Sequence, residues 1–149
     1  MILSIAEIVE KACELKTKEE KIEWLKKNTN QPLRNILSLM YNKHKFEFNI
    51  PTEAPPYTSS DYPDSQGMLY KEARKLKYFV KGFGGENLTR YRREALFIQM
   101  LESVDSKDAI LLCKMIAQKP LKGLTADVIN SALGDVVEKP TKKATKTDG

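Results

Sequence analysis

Apolar residues recur through most of this chain at the three- and four-residue spacing of an amphipathic helix, and they stop doing so in one central stretch. Ile5, Ile8, Val9, Ala12 and Leu15 form the first stripe, with Ser4 in place as an N-cap. Thr17-Lys18-Glu19-Glu20 is a capping box, in which the Thr17 hydroxyl takes the N3 amide and Glu20 reaches back. It opens a second helix with Ile22 and Leu25 inward and Trp24 near the edge; its balanced lysines and glutamates read as a solvated face. Asn30-Gln31-Pro32 starts a third, since proline is tolerated in the first turn, and Leu33, Ile36, Leu37, Met40 and Tyr41 form its buried stripe.

Between residues 42 and 66 the helical period is lost. Pro51, Pro55, Pro56 and Pro63, with Thr58-Ser59-Ser60-Asp61, argue against a helix there. Residues 45–50 alternate as Lys-Phe-Glu-Phe-Asn-Ile, which suits a short extended segment, and Tyr57 and Tyr62 suggest that the loop packs down in places. Such a long loop inside a small domain is uncommon and often functional.

The helical period resumes over residues 68–81, with Leu69, Ala73, Leu76, Phe79 and Val80 apolar. Gly82-Phe83-Gly84-Gly85-Glu86-Asn87 breaks it, and a fifth helix follows over 88–102, with Ala95, Leu96, Met100 and Leu101 inward. Asp105 or Ser106 caps a sixth, with Ala109, Ile110, Leu112, Cys113 and Ile116 inward. Lys119-Pro120-Leu121-Lys122-Gly123 turns the chain into a last short helix over 126–133, with Val128, Ile129 and Ala132 apolar. The expected fold class is all-α. Residues 1–137 form a single compact domain of about seven helices with a long Pro-rich loop between helices three and four, and residues 138–149 form a flexible Lys/Thr-rich tail.

A chain of 149 residues is long enough to bury roughly 70% of its unfolded surface without a disulfide or metal staple. The apolar runs are too short to span a bilayer, and Glu7 and Glu10 interrupt what would be a signal-peptide core, so a cytoplasmic monomer is expected. Cys13 and Cys113 are the two cysteines, each within a helical pattern, and are expected as buried free thiols. His44, the single histidine, falls in a polar loop. With so few soft ligands and no Ser-His-Asp or Cys-His pair, no metal, cofactor or catalytic set is expected, and the chain is expected not to be an enzyme.

Charge changes this picture. The net +5 is concentrated in residues 67–93, where Lys71, Arg74, Lys75, Lys77, Lys81, Arg90, Arg92 and Arg93 face only Glu72 and Glu86, for +6. A localised basic patch points to a polyanion more strongly than a uniformly high pI does. Arg90, Arg92 and Arg93 crowd the start of a helix, where the macrodipole disfavours cations by tenths of a kcal/mol. The glycine turn between the two basic helices offers amides to a phosphate, and Tyr70, Tyr78 and Tyr91 are interleaved to cover sugar or base. The competing reading is a solvated face balanced by acids from elsewhere in the fold. The glycine run lacks the Lys-Ser/Thr ending of a P-loop and follows no strand, so it reads as a helix–helix turn.

Several stretches carry a resemblance in their order and spacing: the Met1-Ile2-Leu3 start with its Ile5/Ile8 helix, Leu33-Arg34-Asn35-Ile36-Leu37-Ser38-Leu39-Met40-Tyr41-Asn42, the basic helix and glycine turn from Lys77 onward, and the hydrophobic helix, basic-x-Leu turn and closing helix at residues 110–133. In these, residues 1–137 resemble the N-terminal DNA-binding domain of phage-type, T4-like ATP-dependent DNA ligases. The resemblance implies a grip on duplex DNA through phosphate and sugar contacts, largely without reading sequence. It places that role on Lys75, Lys77, Lys81, Gly84, Gly85, Arg90, Arg93, Lys119 and Lys122. The Pro-rich stretch is longer than the family's loop, and Pro120 and Gly123 depart from its turn.

Lys146-Thr147-Asp148-Gly149 spells the K-x-D-G pattern of the ligase nucleophile. A nucleophilic lysine needs a nucleotide pocket to lower its pKa, so the string is read as coincidence or remnant. The whole chain also resembles small proteins of T4-like tailed phages, which places it in an infected bacterial cytoplasm. The leading expectation is a non-enzymatic DNA-binding module for double-stranded DNA, acting in phage DNA replication, repair or recombination. The alternative is a protein–protein adaptor docking on replication or transcription machinery through its loop and tail.

Overall fold

The computed structural model describes residues 3–51, 53, 55–58 and 67–137. The centre of the Pro-rich loop with Tyr62, the 138–149 tail and its K-x-D-G string lie outside the described residues. Among those described there are seven α-helices and no strand: α1 Ile5–Glu14, α2 Lys18–Asn28, α3 Gln31–Tyr41, α4 Met68–Glu72, α5 Arg90–Ser103, α6 Ser106–Ala117 and α7 Ala126–Leu133.

The first three helices start where their caps dictate. Ser4 and Thr17 each close a reciprocal capping box, with Glu7 and with Glu20, and the Asn30 side chain accepts the Leu33 amide at 2.8 Å, with Pro32 inside the first turn. α1 packs on α2 and α6, α2 on α7, α3 on α6, and α5 on α6. Their shared core includes Ile5, Leu25, Leu33, Ile36, Leu37, Met40, Leu101, Leu112, Met115 and Ile116, all fully buried.

Three expectations about inward faces change. Helix α6 buries Leu111 and Met115 rather than Ile110 and Cys113; Ile110 is 51% exposed and Cys113 half-buried. The run from Ala109 to Cys113 is apolar throughout, so its period could not choose a face; Lys107, Ile110 and Lys114 share the outer one. Helix α5 buries Phe97 with Met100 and Leu101, while Ala95 is exposed. Cys13 is likewise only half-buried, and burial raises the pKa of both thiols.

The largest departure is in the fourth helix. The α conformation ends at Glu72, and residues Ala73–Phe79 form a seven-residue 3₁₀ helix. Ala73, Leu76 and Phe79 are buried at a spacing of three, which a 3₁₀ helix places in one row and an α-helix would spread over about 120°. Phe79 meets Phe97 edge to face, with centroids 5.3 Å apart, fixing this row against α5. The alternating segment expected over residues 45–50 is present as a single antiparallel bridge, Phe48 to Val80, flanked by Lys81 N–H donating to the Glu47 carbonyl and Asn49 N–H to the Phe79 carbonyl, both at 2.8 Å. Tyr57 does pack against the core, and the Thr58 amide donates to Glu102 of α5 at 2.9 Å.

Two polar groups, one half-buried and one buried, tie distant segments together. Tyr41 donates to the Leu124 carbonyl at 2.6 Å and accepts the Leu121 amide at 2.8 Å, and burial pushes its pKa up to about 12. Asp108, fully buried in the first turn of α6, accepts the Ala6 amide of α1 at 2.8 Å. Burial raises its carboxyl to about 7, outweighing that hydrogen bond.

Candidate nucleic-acid interface

The 3₁₀ geometry sorts the basic residues of the central segment into rows. With three residues per turn, Arg74 and Lys77 fall on one line beside the buried row, each exposed. Their separation along the axis is about 6 Å, comparable with the step between successive phosphates of a strand. Lys71 is exposed in the short α4 just before them. Lys75 falls on the third row and pairs with Glu72 at 2.9 Å.

Across the glycine turn, α5 begins at its N-cap Thr89, whose side chain accepts the Arg92 amide. Arg90 pairs with Glu94 at 2.8 Å and Lys81 with Glu47 at 2.6 Å. These pairs are exposed, and such pairs are worth about 0–1 kcal/mol, so a phosphate can displace the carboxylate at little cost. Lys71, Arg74, Lys77 and Arg92 are exposed without an ion pair among the described residues, though the Lys77 ammonium lies 5.6 Å from the Tyr78 ring centre.

Two residues expected to touch DNA turn inward. Arg93 is half-buried and donates to three backbone carbonyls: Leu88 at 2.6 Å, Gly85 at 3.1 Å and Asn49 at 3.3 Å. It clasps the 45–50 segment, the glycine turn and the first turn of α5 together, and these carbonyls offset its charge near the helix start. Gly85 is buried, and a Cβ there would lie 1.8 Å from the Tyr78 carbonyl oxygen. Its lack of a side chain serves close packing of the turn under the 3₁₀ helix.

The turn's amide is also occupied. Glu86 accepts the Gly82 amide at 2.7 Å, and this bond, followed by that of its own amide, lowers its carboxyl pKa. An internal carboxylate therefore sits where a phosphate was expected. Gly84 remains exposed with φ +103°. Of the three tyrosines, Tyr70 donates to the Leu3 carbonyl at 2.8 Å and packs on the core, whereas Tyr91 is 83% exposed between Arg90 and Arg92.

Lys119 and Lys122 are exposed on the turn between α6 and α7, which Gln118 holds by donating to the Leu39 and Phe46 carbonyls at 3.1 and 3.0 Å. Lys122 lines a cavity of about 240 Å³ between α1 and α6 with Lys107 and Lys114, not the one that Arg74 and Lys77 line. That second cavity, about 300 Å³, lies between α3 and the 3₁₀ helix. Two aromatics of it escaped the sequence reading. Phe83 is 52% exposed at the tip of the glycine turn, and its ring centre lies 6.1 Å from that of Phe46. A phenylalanine set between glycines, where the helical pattern breaks, is the signal in the sequence that marks it.

Among the described residues no group of three or more His, Cys, Asp or Glu could hold a metal ion, and no helix is long and apolar enough to cross a membrane. The sequence model of a family of unknown function, DUF6433, matches residues 8–122, and the chain belongs to that family. No curated protein and no solved structure matches it.

Proposed function

We propose that this DUF6433 chain is a non-enzymatic DNA-binding module that grips the phosphate backbone largely without regard to sequence. The observation that supports this most is the row of Arg74 and Lys77, with Lys71 and Arg92, exposed and without ion pairs among the described residues. Four exposed cations without an ion pair among the described residues leave a local positive field, and a row at phosphate-like spacing suits a regular polyanion. The resemblance to ligase DNA-binding domains supports the same reading and suggests a role in phage DNA replication, repair or recombination as a cytoplasmic monomer.

Binding to a 30-base-pair duplex, followed by fluorescence anisotropy across a salt series, tests the proposal. Four neutralised phosphates give a slope of log K against log salt of about −3.6. No binding at low salt, or a slope near zero, overturns it.

The adaptor alternative has its own supporting observation. Ile110 is half exposed beside the lysine-rimmed cavity between α1 and α6, an apolar feature that a DNA grip does not use. Partners that survive nuclease treatment during co-purification favour the adaptor, and partners lost with the nucleic acid favour the DNA module.

A further inference from the structure

We infer that the cavity between α3 and the 3₁₀ helix receives a single unpaired base, so that the module prefers strands with an extrahelical or single-stranded nucleotide over intact duplex. The inference rests on the DNA-binding reading and deepens it. Its volume of about 300 Å³ is at the low end for small-molecule sites and suits one ring system with its sugar rather than a peptide helix.

The cavity's chemistry runs in one direction. Phe46 and Phe83 supply aromatic surface on one side, their ring planes inclined at 54°, and Leu39 and Leu76 supply aliphatic surface. Bases stack on exposed aromatic side chains whatever their sequence. Arg74 and Lys77, the exposed row of the proposed grip, line the same cavity, so a strand held on that row has its base beside the opening.

The polar side of the cavity offers donors. The Asn35 carbonyl oxygen already accepts the Gln31 amide at 2.8 Å, which directs its own NH₂ elsewhere. The Ser38 hydroxyl oxygen accepts from Asn42 at 3.1 Å, leaving its proton to give. Two cations, an amide NH₂ and a hydroxyl proton fit an occupant rich in acceptors: base carbonyls, ring nitrogens and a phosphate. A base paired in duplex is already stacked and has no access, whereas a bulged or single-stranded one has both faces free.

Gly82 and Gly84 flank Phe83 with φ of +90° and +103°, a conformation that other residues rarely adopt. The aromatic ring is thus held half-exposed at the tip of the turn, against Phe46.

The test compares three probes at one low salt concentration: a blunt duplex, the same duplex with a one-nucleotide 2-aminopurine bulge, and the corresponding single strand. The wild type is expected to bind the bulged and single-stranded probes about tenfold more tightly than the blunt duplex, with quenched 2-aminopurine emission. Phe83→Ala is expected to abolish that excess and the quenching, while leaving blunt-duplex affinity within about twofold. Arg74→Ala is expected to weaken all three probes. Equal wild-type affinities, or a preference that survives in Phe83→Ala, overturn the inference while leaving the duplex-binding reading in place. Binding to none of the three probes overturns both.

Discussion

Arg92 and Arg93 are neighbours in the same turn of the same helix, yet they belong to different parts of the molecule. Arg93 points into the fold and saturates three carbonyls, while Arg92 is exposed without an ion pair among the described residues. The same division runs along the whole segment: Gly85 and Arg93 lie inside, and Lys71, Arg74, Lys77, Phe83 and Arg92 outside. A basic stretch is therefore not a basic surface. Inward groups contribute to stability, where hydrogen bonds to a charge are worth about 1.5–3 kcal/mol. Outward cations contribute little to folding, and this leaves them available for a partner.

If that division holds, adjacent glycines respond very differently to the same substitution. Gly85→Ala drives a Cβ against the Tyr78 carbonyl, and a destabilisation of about 4 kcal/mol or more is expected. Gly84→Ala meets open space and carries only the strain of φ +103°, about 1 kcal/mol. Urea unfolding of the two variants side by side checks this; equal losses would dissolve the distinction between the inner and outer turn.

A buried carboxyl gives the inner region a pH dependence of its own. Asp108 keeps its proton in the folded protein up to about pH 7, whereas the unfolded chain releases it near the ordinary 3.8. Over that interval the native state binds the extra proton, so the Asp108 contribution to stability is fully present below about pH 4 and is lost as pH rises through about 7. Between pH 5 and pH 8 the loss is expected to be about 2–3 kcal/mol, at roughly 1.4 kcal/mol per unit over the titrating range. Asp108→Asn should flatten the profile, as read from urea midpoints at the two pH values. A wild-type profile already flat would show that the carboxylate is accommodated charged.

Arg93→Ala comes next, with an expected loss of about 2 kcal/mol from removing the side-chain donor to the Asn49 and Leu88 carbonyls and one of the two donors to the Gly85 carbonyl, which keeps the Leu88 amide. Arg93→Lys tests whether geometry or charge matters. One ammonium cannot span three carbonyls as the guanidinium fork does, so most of the loss should remain.

The split between inside and outside was only half legible in the sequence. Helix starts at Ser4, Thr17 and Asn30 could be read because a cap is a local event, settled within four residues. The all-α class followed from apolar periodicity for the same reason. The 3₁₀ helix was written in the spacing of Ala73, Leu76 and Phe79, but over seven residues a period of 3.0 is hard to tell from 3.6. Arg93 could not be sorted from Arg92, because one of its three carbonyls comes from Asn49, more than forty residues earlier. Gly85 is fixed by Tyr78, seven residues earlier across the turn, and the cavity by α3, a contact across the fold. Long-range packing assigned the roles, and composition alone made every cation of the segment equivalent.

The smallest expected effect bears most directly on function. Arg92→Ala should leave stability within about 0.5 kcal/mol, because an exposed side chain without an ion pair contributes little to the folded state. On duplex DNA it should reduce the magnitude of the salt slope by about 0.9, the release of one counterion, and lower affinity alike on unrelated sequences. Arg93→Ala, assayed under conditions where it stays folded, should leave the slope unchanged, since its guanidinium is already engaged with carbonyls. Adjacent residues of one helix would then give opposite pairs of results, stability without slope and slope without stability. If Arg93→Ala instead changes the slope and Arg92→Ala does not, the clasp opens on binding, and the inward arginine would be the one that reaches the phosphate.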